Sequence, residues 1–302
     1  MHIAGLVFDD SKHYLDHLGP FCALAGWPLI VCEPGIYDEA KRFYPDLNVQ
    51  YVPLGELKLP KFTISCAPKT LLEVYFPNQS TTLFWLPHGQ SDKGWNSPIF
   101  QALSNEIALV YGRRMIDFMH EQKVFLKTIS IGNFRWEYCC KTTETVNKTF
   151  LYAPTWDNDS FWKIFPLLAK QLPPDCNLWV KLHPNTWRKF APEIEVLIGK
   201  YSQSNIQFLP NEAPIYPLLA KCACYIGDMS SIGYDFLTFN RPMYFVNANP
   251  HLPLHRCGKA IDPTNFDLQL QNDFSEEQKT LYQYTFDVNS HWKEEIDALC
   301  RL

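Results

Sequence analysis

The sequence predicts an α/β protein built as two doubly wound, parallel-sheet domains. Three observations carry that expectation. Short apolar runs alternate with helix-length segments along the whole chain. Several of these runs are apolar at nearly every position and are bounded by Pro, Gly, Asn or Asp, the pattern of strands buried on both faces of a parallel sheet. Finally, the chain has 302 residues, enough for two domains of ~150 residues each.

Composition narrows the class further. Hydrophobic residues make up 46% and charged residues 20%, which excludes a disordered chain. The formal net charge of -5 argues against a nucleic-acid binder working by bulk charge, although it leaves room for a local basic groove. The start, MHIAGLVFDD, has no basic residues ahead of its apolar run and meets Asp9-Asp10 at once, unlike a signal peptide. The longest apolar stretch, near Phe21–Cys32, contains Gly26 and Pro28 and falls short of the ~20 residues a membrane span needs. Ten Cys are scattered without a C-x-x-C, so we expect reduced, mostly buried thiols and no metal site. A cytoplasmic protein is expected, with at most peripheral contact at the inner face of the cell membrane.

The expected strands of the first half are Ile3–Phe8, Pro28–Cys32, Val49–Val52, Phe62–Ser65, Thr82–Leu86, Ala108–Val110 and Val124–Ile129. Those of the second half are Thr149–Ala153, Leu178–Leu182, Ile206–Phe208, Cys224–Ile226 and Met243–Val246. Helices are expected at Tyr37–Phe43, Ile99–Ile107, Arg113–Gln122, Ser160–Gln171, Pro192–Tyr201, Ile215–Lys221, Ile232–Phe239 and Ser275–Tyr284. Alternation of this kind implies doubly wound layers. The polar run KTTETVNK marks a boundary, giving domains 1–140 and 141–302. In His291–Leu302, Trp292, Ile296 and Leu299 fall at helical spacing, and this last helix is the piece that would pack back on the first domain.

Tandem domains of this type bind ligands in the cleft between them, outside the carboxyl ends of the strands. Four post-strand clusters therefore stand out. The first is Pro87-His88-Gly89-Gln90-Ser91-Asp92-Lys93: an imidazole can take a proton from a hydroxyl near neutral pH. The second is Lys181-Leu182-His183-Pro184, where the His183 ring can donate to a phosphate oxygen. In the third, Gly227-Asp228-Met229-Ser230-Ser231 leading to Asp235, small hydroxyls stand beside the free N–H groups of a strand-to-helix turn, a setting suited to phosphate. The fourth is Gly132-Asn133-Phe134-Arg135, whose Arg135 can fork onto a phosphate or carboxylate. Each has an ordinary alternative: His88 and His183 as loop residues, Ser230 or Ser231 as a helix N-cap, and Arg135 as a surface arginine. The chain has no G-x-G-x-x-G, P-loop or G-x-S-x-G, which disfavours dinucleotide, Walker-type and hydrolase readings.

Taken in order, these clusters resemble the CDP-glycerol glycerophosphotransferase family of teichoic-acid and capsule polymerases. Leu151-Tyr152-Ala153-Pro154-Thr155-Trp156 and Asn240-Arg241-Pro242-Met243 also fit, so the resemblance spans roughly Thr82–Val246. It implies a GT-B-like architecture, two Rossmann-like domains facing across a cleft, with the acceptor on the first and the nucleotide donor on the second. It implies a cell-envelope transferase that moves glycerol phosphate, or a related polyol phosphate, from a CDP-activated donor to an acceptor hydroxyl. No cofactor is implied beyond that substrate. The acceptor would be a glycan or polyol phosphate, lipid-linked in some members, and nucleic acid is not a partner. By position, His88 would be the general base, and His183, Ser230 and Ser231 would hold the donor phosphates. Arg135 and Lys93 would add positive charge near the pyrophosphate, and Asp228 and Asp235 would orient the serine loop.

Departures from the family pattern fall at Gln90-Ser91, Phe134 and Trp136-Glu137. Two alternatives stand beside this reading, the first resting on a shared His-Pro loop and Ser-rich loop and the second on these departures. One is a nucleotide-sugar glycosyltransferase or UDP-sugar 2-epimerase-like enzyme, and the other a non-catalytic nucleotide-binding scaffold on the same fold.

Overall fold

A computed structural model describes residues 2–90, 92, 102–139, 148–156, 160–202, 204–209, 214–262 and 270–301. The chain divides into two compact units. One comprises Met1–Gln90, Gly94–Lys141 and Tyr284–Leu302, the other Ser91–Lys93 and Thr142–Gln283.

The first unit contains strands β1 (Ile3–Val7), β2 (Leu29–Val31), β3 (Val49–Tyr51), β4 (Phe62–Ser65), β5 (Thr82–Trp85), β6 (Ile107–Val110) and β7 (Lys127–Ser130). They form one sheet in the order β3-β2-β1-β4-β5-β6-β7, parallel at every pairing. β1, β2 and β4 are buried nearly throughout, the reason the sequences of β1 and β2 are continuously apolar.

Helices α1 (Leu15–Ala25), α2 (Pro34–Phe43), α3 (Lys69–Tyr75), α4 (Arg113–Glu121) and α5 (Phe134–Cys139) accompany this sheet. α1 ends at Gly26, whose φ of 71° gives the left-handed turn a helix C-terminus favours. Tyr284–Leu302 also belongs to this unit. Asp287 is its main tether. Its N–H donates to the Tyr111 carbonyl at 3.0 Å, while its carboxylate accepts from Arg113 N at 3.2 Å and Ser130 Oγ at 2.9 Å. Trp292 then stacks on Phe21, ring centroids 4.6 Å apart.

The second unit contains β8 (Thr149–Ala153), β9 (Asn177–Val180), β10 (Ile206–Phe208), β11 (Cys224–Gly227), β12 (Met243–Val246) and β13 (Lys259–Ile261). Their order is β10-β9-β8-β11-β12-β13, again parallel at every pairing. Its helices are α6 (Ser160–Gln171), α7 (Pro184–Tyr201), α8 (Ile215–Lys221), α9 (Ser231–Phe236) and α10 (Ser275–Thr285), the last running two residues beyond Gln283 into the returning segment; α11 (Trp292–Cys300) belongs to the first unit. Phe150, Tyr152, Phe161, Phe165, Val180 and Ile226 form the centre of this unit's core.

The α/β class expected from the sequence is the one found. Several elements differ from expectation. α1, α3 and α5 were not expected, and neither was β13. The helix expected at Ile99–Ile107 lies partly outside the described residues, and Ile107 begins β6 instead. The strand expected at Val124–Ile129 starts later, at Lys127. α7 begins at Pro184 rather than Pro192, with a kink at Phe190, where φ is -129°. Proline fits the first helical turn, so Pro184 opens the helix, and Pro192 follows the kink.

The described cysteines are buried, apart from the partly exposed Cys139. Burial pushes the Cys22 and Cys222 thiols up to about 12, so they stay protonated at neutral pH. Among the described residues, no helix is long and apolar enough to cross a membrane, and no group of three or more His, Cys, Asp or Glu is placed to hold a metal ion.

Candidate functional site

In the second sheet the strand order reverses between β8 and β11, which pair with Ala153 opposite Gly227. In doubly wound sheets the ligand crevice opens at this point, beyond the carboxyl ends of the two strands. The loops that leave these ends carry the Gly227–Ser231 cluster and the Pro154-Thr155-Trp156 motif, and the Lys181–Pro184 cluster leaves the neighbouring β9.

Asp228 follows β11 and is buried. Its carboxylate accepts from Thr155 N at 3.0 and 3.2 Å and from Thr155 Oγ1 at 2.9 Å. The loop after β8 is thereby bonded to the loop after β11. A buried carboxylate needs such partners, because unpaired burial of charge is costly. Its backbone carbonyl faces His255 Nε2 at 3.2 Å.

Ser230 is the N-cap of α9, its Oγ accepting from Ile232 N at 3.4 Å. The capping role is therefore realised, but it uses a lone pair of the hydroxyl and not its proton. Ser231 opens α9 and is half-buried. Asp235 is buried on the same short helix and accepts from the Tyr216 hydroxyl at 3.2 Å. Two glycines let this turn lie close to β11. A Cβ at Gly227 would stand 2.1 Å from the Tyr225 hydroxyl, and one at Gly233 would stand 2.7 Å from Leu254.

His183 follows β9 and is the N-cap of α7, its Nδ1 accepting from Asn185 N at 3.1 Å. A backbone N–H can only donate, so Nδ1 carries no proton and the neutral ring bears it on Nε2. The ring lies 5.9 Å from that of Trp156, which follows β8 and is 46% exposed. Neighbouring strands β9, β8 and β11 thus present His183, Trp156 and the Asp228–Ser230 turn from their carboxyl ends.

Also in this unit, Tyr234 donates to Asp92 Oδ1 at 2.6 Å. Lys93 lies outside the described residues.

In the first unit His88 stands exposed after β5. Gly89 follows with a φ of 113°, a conformation glycine adopts readily and other residues rarely do. The His88 ring is 5.3 Å from that of His13 and 5.2 Å from that of Tyr14, which follow β1. Behind it is a buried chain of bonds. Tyr111 donates its hydroxyl proton to the Pro87 carbonyl at 2.9 Å, and His17 Nδ1 lies 2.8 Å from the same hydroxyl. The hydroxyl has one proton, so His17 donates from Nδ1. Burial, then the nearby Arg135, His88 and His13, hold the His17 pKa well below its ordinary value.

Gln90, one of the departures from the family pattern, is buried too. Its amide donates to the Thr285 carbonyl at 3.0 Å and accepts from Arg114 at 3.3 Å. Arg135 lies on α5, buried to 4%, with its guanidinium 2.9 Å from Asp16. It is therefore not the surface arginine of the ordinary reading. Three supporting residues carry no signal in the sequence, His17, Tyr111 and His255, and a fourth, Thr155, stands in a family motif without an assigned role.

The sequence profile of the family described as CDP-Glycerol:Poly(glycerophosphate) glycerophosphotransferase matches residues 133–251. A solved structure of the wall teichoic acid polymerase TagF, soaked with CDPG, is similar in fold. Its TM-score is 0.66 at 15% identity, over 99% of this chain and 87% of that one. MnaA of S. aureus with UDP gives a TM-score of 0.61 at 12% identity, over 98% and 95% of the two chains. UDP-GlcNAc 2-epimerase of Methanocaldococcus jannaschii, with UDP-GlcNAc and UDP, gives 0.61 at 12% identity, over 100% and 99%. None of the curated proteins matches the chain. The fold is that of GT-B enzymes. Over residues 133–251, which include Arg135, His183, Asp228, Ser230, Ser231 and Asp235, the chain matches the CDP-glycerol:poly(glycerophosphate) glycerophosphotransferase family that its ordered motifs resemble.

Proposed function

We propose that the chain is a transferase that moves glycerol phosphate, or a related polyol phosphate, from a CDP-activated donor to an acceptor hydroxyl. The observation that carries this reading is the family match over 133–251, which apart from 133–141 falls on the unit whose sheet reverses between β8 and β11. In this reading the second unit binds the donor. His183 donates from Nε2 to a phosphate oxygen, and Ser230 and Ser231 donate their hydroxyl protons. Asp228 and Asp235 hold the serine turn in place through Thr155 and Tyr216.

The first unit serves the acceptor. His88 removes the proton of the attacking hydroxyl, the hydroxyl oxygen bonds to the donor's β-phosphorus, and CMP leaves with the bridging oxygen. Such a transfer is largely positioning and charge stabilisation. Lys93 and Arg135 add positive charge near the pyrophosphate. Arg135 enters with its charge already shared with Asp16, so its direct share of donor affinity is the smallest of the set. A glycan or polyol-phosphate acceptor, lipid-linked or free, belongs to this reading, as does peripheral placement at the membrane's inner face.

Structural likeness to UDP-bound proteins supports a second reading, in which the activated donor carries uridine. A thermal-shift panel of CMP, CDP, UMP and UDP separates the two. Stabilisation by cytidine nucleotides alone is expected. Stabilisation by uridine nucleotides alone replaces the first reading with the second, and none with any nucleotide removes both. Binding without CMP release from CDP-glycerol in the presence of acceptor would leave a non-catalytic scaffold.

A further inference from the structure

His255 lies in a short turn, Leu254–Cys257, beyond the end of β12 and outside the stretch matched by the family profile. It is 6% exposed, and both of its ring nitrogens meet backbone groups of opposite sense. Nδ1 is 2.8 Å from Asn249 N, which can only donate. Nε2 is 3.2 Å from the Asp228 carbonyl, which can only accept. One tautomer satisfies both, the neutral ring with its proton on Nε2. The ring is also stacked on Phe245 of β12, centroids 4.6 Å apart and planes 30° from parallel. The imidazole is thus fixed in orientation, tautomer and depth.

What it holds is Asp228. That residue is gripped through its carboxylate by Thr155, after β8, and through its carbonyl by His255, after β12. The turn that follows carries Ser230 and Ser231. A serine hydroxyl serves a phosphate only while its backbone is held to within a fraction of an ångström of the productive position. The carboxylate grip fixes one end of Asp228, and the carbonyl grip fixes the peptide that leads into Met229 and Ser230.

We propose that His255 is a positioning residue for donor binding: its Nε2–H holds the Asp228 carbonyl and so sets the Asp228–Ser231 turn in the shape that receives the donor phosphates. This rests on the second unit being the donor site. It also gives the site an acid limit. Burial lowers the His255 pKa, and it outweighs the bond to the Asp228 carbonyl and the negative charges of Asp92 and Asp228, which act to raise it. Protonation would place an N–H on Nδ1 directly against the Asn249 N–H, so the Asn249 contact breaks and the ring leaves its seat. The grip is therefore complete at neutral pH and lost in acid, below the ordinary histidine range.

The test is calorimetric titration of CDP into the whole protein: wild type, His255→Phe and His255→Gln. Phe keeps the stacking on Phe245 but neither hydrogen bond, and Gln can both accept and donate. Wild type is expected to bind CDP, Phe to bind about tenfold more weakly while remaining folded, and Gln to stay within about threefold of wild type. As pH is lowered from 7 to 5, wild type should lose affinity relative to Gln. In a 15N-labelled sample, the His255 ring should show a proton on Nε2 and none on Nδ1 at pH 7. Wild-type affinity in the Phe variant, a Gln variant as weak as Phe, or a proton on Nδ1 at pH 7 would each overturn the proposal alone. Failure of the wild type to bind CDP would overturn the donor-site reading and this inference with it. Should the Phe variant fail to fold, the Gln affinity, the pH dependence and the tautomer still decide.

Discussion

The two sheets share a strand pattern but use their carboxyl ends differently. In each, the first strand of the unit lies between a run that extends outward to its second and third strands and a run that continues through its fourth. At the second sheet's reversal the polar groups are bonded to one another in depth. Asp228 is held from two sides, Asp235 by Tyr216, and Ser230 caps a helix. In the first unit, the corresponding chemistry is an exposed His88 beside two other rings, and the bracing lies behind it in His17, Tyr111 and Gln90. A binding site for a charged group benefits from donors fixed in advance. A proton-transfer group needs instead to reach a substrate, and its surroundings have only to fix the backbone. The same topology thus supports a rigid turn in one unit and an accessible side chain in the other.

The comparison breaks most visibly at His88. His88→Ala should lower transfer by roughly 10²–10⁴-fold, the usual worth of a positioned acid or base, while leaving CDP affinity unchanged. A rate assay paired with a titration checks both. If affinity falls with the rate in a folded variant, His88 belongs to donor binding, and the division of labour is wrong.

Next in size is Arg135. Its Asp16 partner is largely buried, and breaking a buried pair from one side costs about 3–5 kcal/mol. Arg135→Met should therefore depress unfolding stability by that order, measured by urea unfolding followed at a probe in the first unit. A variant as stable as wild type would mean that the pair contributes nothing there.

The serines should show the reverse of His88. Replacing both Ser230 and Ser231 with Ala should raise the CDP dissociation constant by roughly 10–100-fold, given the worth of hydrogen bonds to charged groups. Some loss of stability should accompany it, since Ser230 caps α9 and an N-cap is worth about 1 kcal/mol.

The last effect is one of pH, and it is the smallest per pH unit for a single group. Burial lowers the pKa of both His17 and His255. Below pH ~6.5 an unfolded histidine takes up a proton that the folded protein refuses, so stability falls as pH drops, by about 1.4 kcal/mol per unit for each group until its folded pKa is reached. Unfolding experiments between pH 7.5 and 5 should show this slope, and His17→Gln should remove about one proton's worth of it. An unchanged slope would mean that His17 is not held neutral.

Much of the fold could be read from sequence for a simple reason. Strands such as Thr149–Ala153 and Met243–Val246 are buried at every position, so their residues are nearly all apolar. The misses have equally local causes. α1 is buried on nearly every face and contains Gly19-Pro20, which hides a helical period behind two breakers. Gly19 is there because the Tyr44 ring would stand 2.7 Å from any Cβ. β13 is three residues with no large apolar run, so nothing in its sequence marks a strand.

At the site, post-strand residues with distinctive chemistry were visible: His88, His183 and the Asp228–Ser231 turn. Their supports were not, because the bond from His255 spans 27 positions and that from His17 spans 94. No periodicity reports such pairs. Gln90 shows the same limit in another form. As a departure from a motif it suggested altered function, whereas in the fold it is a buried amide serving Thr285 and Arg114.

The most direct test of the account is a titration of CDP into three proteins in parallel: wild type, His88→Ala, and the Ser230→Ala/Ser231→Ala double variant. The account predicts that wild type and His88→Ala bind alike and that the double variant binds at least about tenfold more weakly. Loss of CDP binding in His88→Ala, with the double variant unchanged, would contradict it.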